Sequence, residues 1–327
     1  MAAVNQHPIV LFYYPGSLWA SKITAYLTLR GISYHECFQP RVMPRPDLAA
    51  LNIHYRRIPV LAIGRDIYFD TVLMLEKLEE LFPGNTLGAR DSTSRALEKM
   101  LEKWIENAAM PSIIGSLPPA FLDNEQMVKD RRQCWDFEIS VEAQEKGRPL
   151  SLANLRTHFN FLETLFSDDR RWVLSTDNPG LADIHTAFAL DWILGMPGAL
   201  PEQFFSDEFP KTFGYLKRYR RALDAAGTQG PKPESLTGPD AAKLITESGF
   251  VEPEGDVEHD PTLLEKGQNV ALWRTDESAF SRSINRDLGK LLALTSHEVV
   301  ITPEVTSTTW GIRLHAPRWG FAVEKVT

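Results

Sequence analysis

Two short features of the sequence hold residues that could handle a ligand. The first is Ile58-Pro59-Val60-Leu61-Ala62-Ile63, an apolar run that reads as a buried strand although Pro59 removes an amide that a ladder would use. A cis Ile58-Pro59 bond explains a proline kept there, because it turns the backbone so that its polar groups are offered to a ligand. An edge-strand or mid-loop trans proline is the plainer alternative. The second feature is Asp70-Thr71, eleven residues beyond Pro59 and directly before the apolar helical run Val72 to Phe82. Free N–H groups and the positive end of the helix dipole suit an anion at such a place. An ordinary N-cap uses the same residue types with no ligand at all.

Composition bounds what such a site serves. The chain has 327 residues, 43% hydrophobic and 24% charged, which is enough for two folded domains and a third small one. The formal charge of -8, with no basic stripe beyond short runs such as Lys217 to Arg221, argues against nucleic acid and against an anionic membrane surface. The start MAAVNQHPIVLFYY lacks the pattern of a secretory signal, and no stretch approaches the roughly 18 apolar residues that a membrane span needs, so the expectation is a cytoplasmic protein. Cys37 and Cys134 stand in unrelated contexts with no CxxC spacing, and the eight histidines form no HExxH. Reduced thiols and no metal are therefore expected.

The elements that must position these residues follow from periodicity. Ile9 to Tyr14 reads as a strand, Ala20 to Arg30 as a helix stopped by Gly31, and ISYHECF as a second strand. A short helix across PRPDLAALN, a hairpin of RIPVLAI and IYF around a tight GRD turn, and the helix Val72 to Phe82 complete a βαβ-αββα order, the thioredoxin-like plan. From Asp91 the period is 3.6, through DSTSRALEKMLEKWIENAAM, LANLRTHFNFLETLF and LADIHTAFALDWIL, ending near Ala225. The last of these is apolar nearly all round and belongs in the middle of a bundle. AAGTQGPKPESLTGP then reads as a linker, followed by a short helix at Asp240 to Ser248. The strand-like pieces NVALW, LLAL, EVVIT, WGIRLH and GFAVEKV form a small β-rich module. The fold class is thus an α/β thioredoxin-like N-terminal domain (1–86), an all-α bundle (87–228), and a linker plus β-rich module (229–327).

Over about its first 225 residues this order resembles the cytosolic glutathione transferase superfamily, including fungal members with a C-terminal extension. Ile58-Pro59-Val60-Leu61 stands where that family has a segment whose proline is cis and whose preceding residue pairs through its backbone with the cysteinyl part of glutathione. The resemblance implies that Asp70 meets the α-ammonium of the γ-glutamyl group and that Thr71 donates its hydroxyl and amide to the carboxylate. In GSLWASK it implies Ser17 as the residue that activates the thiol, with Tyr14 second, and Lys22 as a basic residue of the glutathione site. A hydroxyl beside the sulfur would favour the thiolate, which is the nucleophile. A capping serine at the start of a helix is the plain alternative for Ser17. Because Ser17 is not cysteine, chemistry through an enzyme thiol is put in doubt, and Cys37 reads as a small buried hydrophobe. In NPGLADIH, Gly180 takes the cap position and Asp183 the third helical position, half of a capping box with a folding role.

The function implied is an enzyme that uses glutathione as cosubstrate. Its partner would be an electrophilic or unsaturated small molecule, conjugated in detoxification or secondary metabolism, or isomerised cis to trans by addition and elimination of the same thiolate. A non-catalytic binding or regulatory protein on the same fold is the alternative. A homodimer is implied by the resemblance as well.

Overall fold

Apolar runs and a few turn residues account for the first half of the main sheet. The structure is a computed structural model that describes residues 7–201, 204–304 and 311–326. The N-terminal MAAVNQ, and Trp310 at the head of WGIRLH, lie outside the described residues. Strands β1 (Ile9–Tyr13), β2 (His35–Phe38), β3 (Val60–Ile63) and β4 (Asp66–Phe69) alternate with helices α1 (Leu18–Arg30), α2 (Pro46–Ala50) and α3 (Thr71–Leu81). β3 and β4 are buried along their whole length, β3 as an uninterrupted apolar run and β4 with Asp66 as its one buried charge. Gly31 ends α1 in the left-handed conformation at φ 63°, where its N–H reaches the last carbonyls of the helix.

The helical part comprises α4 (Ser92–Lys103), α5 (Met110–Gly115), α6 (Glu125–Cys134), α7 (Val141–Leu165), α8 (Leu181–Leu194), α9 (Phe204–Glu208) and α10 (Pro210–Gln229). A π-helical turn, Trp104–Ala109, joins α4 to α5. α8 is the central helix, and Asp183 Oδ2 accepts the Gly180 N–H at 2.9 Å as expected, while its Oδ1 accepts Val173 N–H at 3.0 Å. Two boundaries differ from the sequence reading. α7 begins at Val141, well before Leu152, because a good cap at Ser140 starts a helix that runs through Gly147 and Pro149. α10 extends to Gln229, into the stretch read as linker, where Gly227 packs beside Thr28 of α1.

The C-terminal strands do not build a sheet of their own. β5 (Glu234–Ser235), α11 (Gly238–Thr246), β6 (Asn269–Arg274), α12 (Ala279–Ile284), β7 (Asp287–Leu294), β8 (Glu298–Thr302), β9 (Arg313–Pro317) and β10 (Phe321–Lys325) complete one ten-stranded sheet in the order β10-β6-β7-β8-β9-β4-β3-β1-β2-β5. β9 pairs in parallel with β4, and β5, inside the supposed linker, pairs in parallel with β2. Both edges of the thioredoxin-like sheet are therefore covered by the same chain, which removes the open N–H and C=O groups that an edge exposes. Three residues join β9 to β10, although the sheet order sets these strands four spacings apart. Four Cα steps span at most about 15 Å and four strand spacings about 19 Å, so the C-terminal half of the sheet must curl back on itself. The curl encloses a core in which Val10, Phe12, Ile67 and Phe69 pack with Leu272, Leu291, Leu314 and Phe321.

The junction of the two halves is polar and buried. His315 of β9 bonds Asp66 Oδ1 through Nε2 at 3.0 Å and Glu298 Oε1 through Nδ1 at 2.6 Å, and Lys77 of α3 joins Glu298 (2.8 Å) to Glu252 (2.6 Å). HAPRWGF thus carries the cation that welds β9 to β4. Burial alone would push the His315 imidazole down, but the Asp66 and Glu298 carboxylates hold it above its ordinary value. Burial likewise opposes ionisation of Asp66 and Glu298, and His315 pulls both below theirs. The His315 contribution is complete below its unfolded pKa of about 6.5 and is lost as pH rises through the raised folded value. The carboxylate contributions are complete above about 4.3 and are lost as pH falls through the lowered values. Thermal melting should therefore show a maximum between about pH 4.5 and 6.5, and His315→Gln should flatten the alkaline decline while costing about 3 kcal/mol. An unchanged alkaline limb in that variant would show that another group is responsible.

Candidate functional site

Strand register brings the expected site together. Val60 pairs with Phe12 on one side and Phe69 on the other. The segments Tyr14 to Ser17, Ile58-Pro59 and Asp70-Thr71 therefore emerge at one end of three adjacent strands, across about 10 Å. The Ile58-Pro59 bond is cis, as the strand proline suggested.

Ser17 caps α1, its Oγ accepting the Ala20 N–H at 3.3 Å, and its own hydroxyl proton remains to be donated. Its backbone N–H bonds Tyr14 O at 3.1 Å, Gly16 takes the left-handed place in this turn at φ 80°, and Trp192 of α8 donates Nε1–H to Gly16 O at 3.1 Å. The bundle thus holds this loop in place. Tyr14 is half-buried beneath the Arg41 guanidinium.

At the tip of α3, Asp70 adopts φ 67° and its Oδ1 accepts the Val72 N–H at 3.0 Å. The capping reading of Asp70 is therefore realised, with the carboxylate still partly exposed. Thr71 is buried, and its Oγ1 accepts from Lys22 Nζ at 3.4 Å, so the hydroxyl expected to face a ligand points into the protein.

Lys22 itself requires a correction. The resemblance put it in the glutathione site, yet the side chain is fully buried and its ammonium bonds Glu102 and Glu106, each at 2.9 Å. Burial would push Lys22 down, but the two carboxylates hold it well above its ordinary value. Glu102, which burial would push up, is held well below its own by Lys22. His185, 3.4 Å from Glu102, is driven down to about 3 by burial and by Lys22, and stays neutral. Lys22 therefore ties α1 and the tip of α3 to α4 and the turn that follows it.

Sequence reading missed the residues that the C-terminal strands bring in. Arg274, at the end of β6, bonds Asp70 Oδ2 across a separation of 204 residues, and its Nε and Nη2 bond Asp276 Oδ1 and Oδ2 at 3.0 Å each. Arg57, next to the cis bond, reaches the same carboxylate at 2.8 and 3.1 Å, bonds Glu277 Oε1 at 3.0 Å and stacks 4.7 Å from the Trp135 ring centre. Charges thus alternate from Arg57 through Asp276 and Arg274 to Asp70. Nothing local in RTDES signals this, because the contacts exist only once β6 has curled over β4. Ser278 N–H bonds Cys134 O at 2.8 Å, which fastens the same segment to α6.

Beside Arg57 lies a depression of about 540 Å³ lined by Trp135, Phe137, Thr275 and Arg282 among others. Another of about 550 Å³, between α7 and α9, is remote from this end of the sheet. Cys37 and Cys134 are buried and their thiols are pushed up to about 11 by that burial, so neither offers a thiolate near neutral pH. Glu252, Glu298 and His315 bring ligand atoms within 4.8 Å of one another, but the Lys77 ammonium already bridges the two glutamates.

Residues 11–86 match the family described as glutathione S-transferase, N-terminal domain. This segment is thus similar to the glutathione S-transferase superfamily. Residues 109–228 match a second family, described as a domain of unknown function (DUF7962). The superfamily likeness extends to glutathione S-transferase U4 of Arabidopsis thaliana, 24% identical over 123 residues, 36% of this chain and 55% of that protein, so the match spans about half of the relative. A GST-like protein from Pseudomonas syringae shares the fold over 98% of this chain and 99% of its own, with TM-score 0.72 and 24% identity. A glutathione S-transferase from Rhodospirillum rubrum F11 covers 69% of this chain and 94% of its own, with TM-score 0.50 and 21% identity. The whole-length likeness of fold takes in the C-terminal strands as well as the preceding α/β and helical parts.

The position of Lys22 carries a prediction. Lys22→Met leaves buried Glu102 with only Lys99 at 3.4 Å and partly buried Glu106 with only Lys103 at 3.2 Å, and should lower unfolding free energy by about 3 kcal/mol in urea titrations. A loss below about 1 kcal/mol would contradict the structural role.

Proposed function

We propose that the chain binds glutathione across the ends of β1, β3 and β4 and presents its sulfur, as thiolate, to an electrophilic small molecule. The observation that carries this reading is the register of Phe12, Val60 and Phe69, which lines up a helix-capping hydroxyl, a turned backbone and a second helix tip across the width of a tripeptide. The backbone of Ile58 pairs with the cysteinyl unit. The N–H groups at the tip of α3 take the γ-glutamyl carboxylate, and Asp70 takes the ammonium. Ser17 donates its hydroxyl proton to the sulfur, and the N-terminal end of α1 adds its partial positive charge, which together lower a thiol pKa from about 8.5 toward neutrality. Addition followed by elimination of the same thiolate would make the chain an isomerase, distinguished by unchanged free thiol during turnover.

Calorimetry with millimolar glutathione should register binding. Ser17→Ala should keep affinity within about threefold while lowering kcat/KM at pH 7 by about 10- to 100-fold, the worth of one hydrogen bond to a charged group. Ser17→Thr, which retains cap and hydroxyl, should recover most of the rate, and Tyr14→Phe should change it less than about twofold. Full activity in Ser17→Ala would transfer the role to another group, and absence of any glutathione heat would refute the site.

A further inference from the structure

Arginine forks from two separate segments meet at one exposed carboxylate beside the α3 tip. Asp276 accepts four N–H bonds, two from Arg57 at 2.8 and 3.1 Å and two from Arg274 at 3.0 Å, yet its side chain is 47% exposed and sits in a surface turn. The Thr71 hydroxyl, which the glutathione reading would aim at the γ-glutamyl carboxylate, is instead engaged by buried Lys22. What the site offers to solvent at this tip is Asp70 at 19% exposure and Arg274 at 15%.

We propose that Arg274 holds the α-carboxylate of the γ-glutamyl end, with Arg57 beside it, and that Asp276 occupies this anion place in the free protein. This rests on the glutathione reading and adds a charged side-chain donor to the α3-tip N–H groups of that reading. The bidentate guanidinium fork matches a carboxylate in plane and spacing, and Arg274 already spans the gap from Asp276 to Asp70. An incoming α-amino acid group brings both charges that the row requires. Its carboxylate replaces that of Asp276 on the forks, and its ammonium meets Asp70. Release of Asp276 is easy because a half-exposed carboxylate rehydrates, whereas Glu277, buried and bonded to Arg57 and Ser281, stays to fix the Arg57 guanidinium. The C-terminal strands therefore complete the thiol site rather than merely adjoin it, and they select for a free α-carboxylate.

The test uses the full chain and three ligands measured by calorimetry: glutathione, its analogue lacking the α-carboxylate (γ-aminobutyryl-Cys-Gly) and its analogue lacking the ammonium (glutaryl-Cys-Gly). Wild type should bind the decarboxylated analogue about 10- to 100-fold more weakly than glutathione, and Arg274→Met should bring that ratio close to one. Asp276→Asn, which removes the internal competitor and keeps the side-chain shape, should tighten glutathione about two- to fivefold. Glutathione binding by wild type with the carboxylate preference intact in Arg274→Met, or with no gain in Asp276→Asn, overturns the proposal and leaves the glutathione site standing. Failure of wild type to bind glutathione overturns the underlying site as well, and is recognised by silence with all three ligands.

Discussion

The pairing of β9 with β4 is the contact on which the rest of the molecule depends. A thioredoxin-like sheet ending at β4 would leave that strand's hydrogen-bonding groups open, and here the chain returns after nearly 250 residues to close them. The polar junction at this seam is demanding. Asp66 and His315 are buried, and each would be costly there without the other, so the pairing has one register in which their charges meet. Once that register is set, the direction of β9 carries the chain toward the end of the sheet where Asp70 stands, and the turn into β10 and the curl of β6 bring Arg274 to it.

Helix α3 lies between two buried ion clusters, and this fixes its tip. On one side Lys22 ties Thr71 to Glu102 and Glu106 of the helical part, and on the other Lys77 ties the helix to Glu252 and Glu298 of the C-terminal part. Each lysine stays charged despite burial because two carboxylates surround it. A helix held at its tip and again along its body in this way presents its N-terminal amides at a fixed place, which preorganised anion binding requires. Rigidity of the binding edge and stability of the fold are here the same interactions.

The chemistry divides along the same lines. In the proposed site, nucleophile activation belongs to the N-terminal half, where Ser17 and the start of α1 sit on a loop pinned by Trp192. Charge recognition is shared with the C-terminal strands, whose Arg274 and Asp276 extend the row begun by Asp70 and Arg57. Both cysteines are withdrawn from reactivity by burial, so the proposed reaction draws its sulfur from glutathione rather than from the chain.

Local signals were enough for much of this. Pro59 within an apolar run, Ser17 and Asp70 at helix starts, Gly31 at a helix end and Asp183 three places after Gly180 each act within a few residues, so their conformations are dictated by neighbours in the sequence. The strands of the C-terminal part were legible as well, with NVALW, EVVIT and GFAVEKV close to their observed bounds. Lys22 shows the limit. Its place on α1 was readable, but its partners lie 80 and 84 positions away, and only packing decided that they would be Glu102 and Glu106 rather than a ligand. The sequence alone determined which segments would be strands, caps and turns, because those choices depend on short-range sterics and hydrogen bonding. Tertiary structure decided that the C-terminal strands would join the first sheet and that Arg274 would reach Asp70, because charge pairing across 204 residues exists only after the chain has closed on itself.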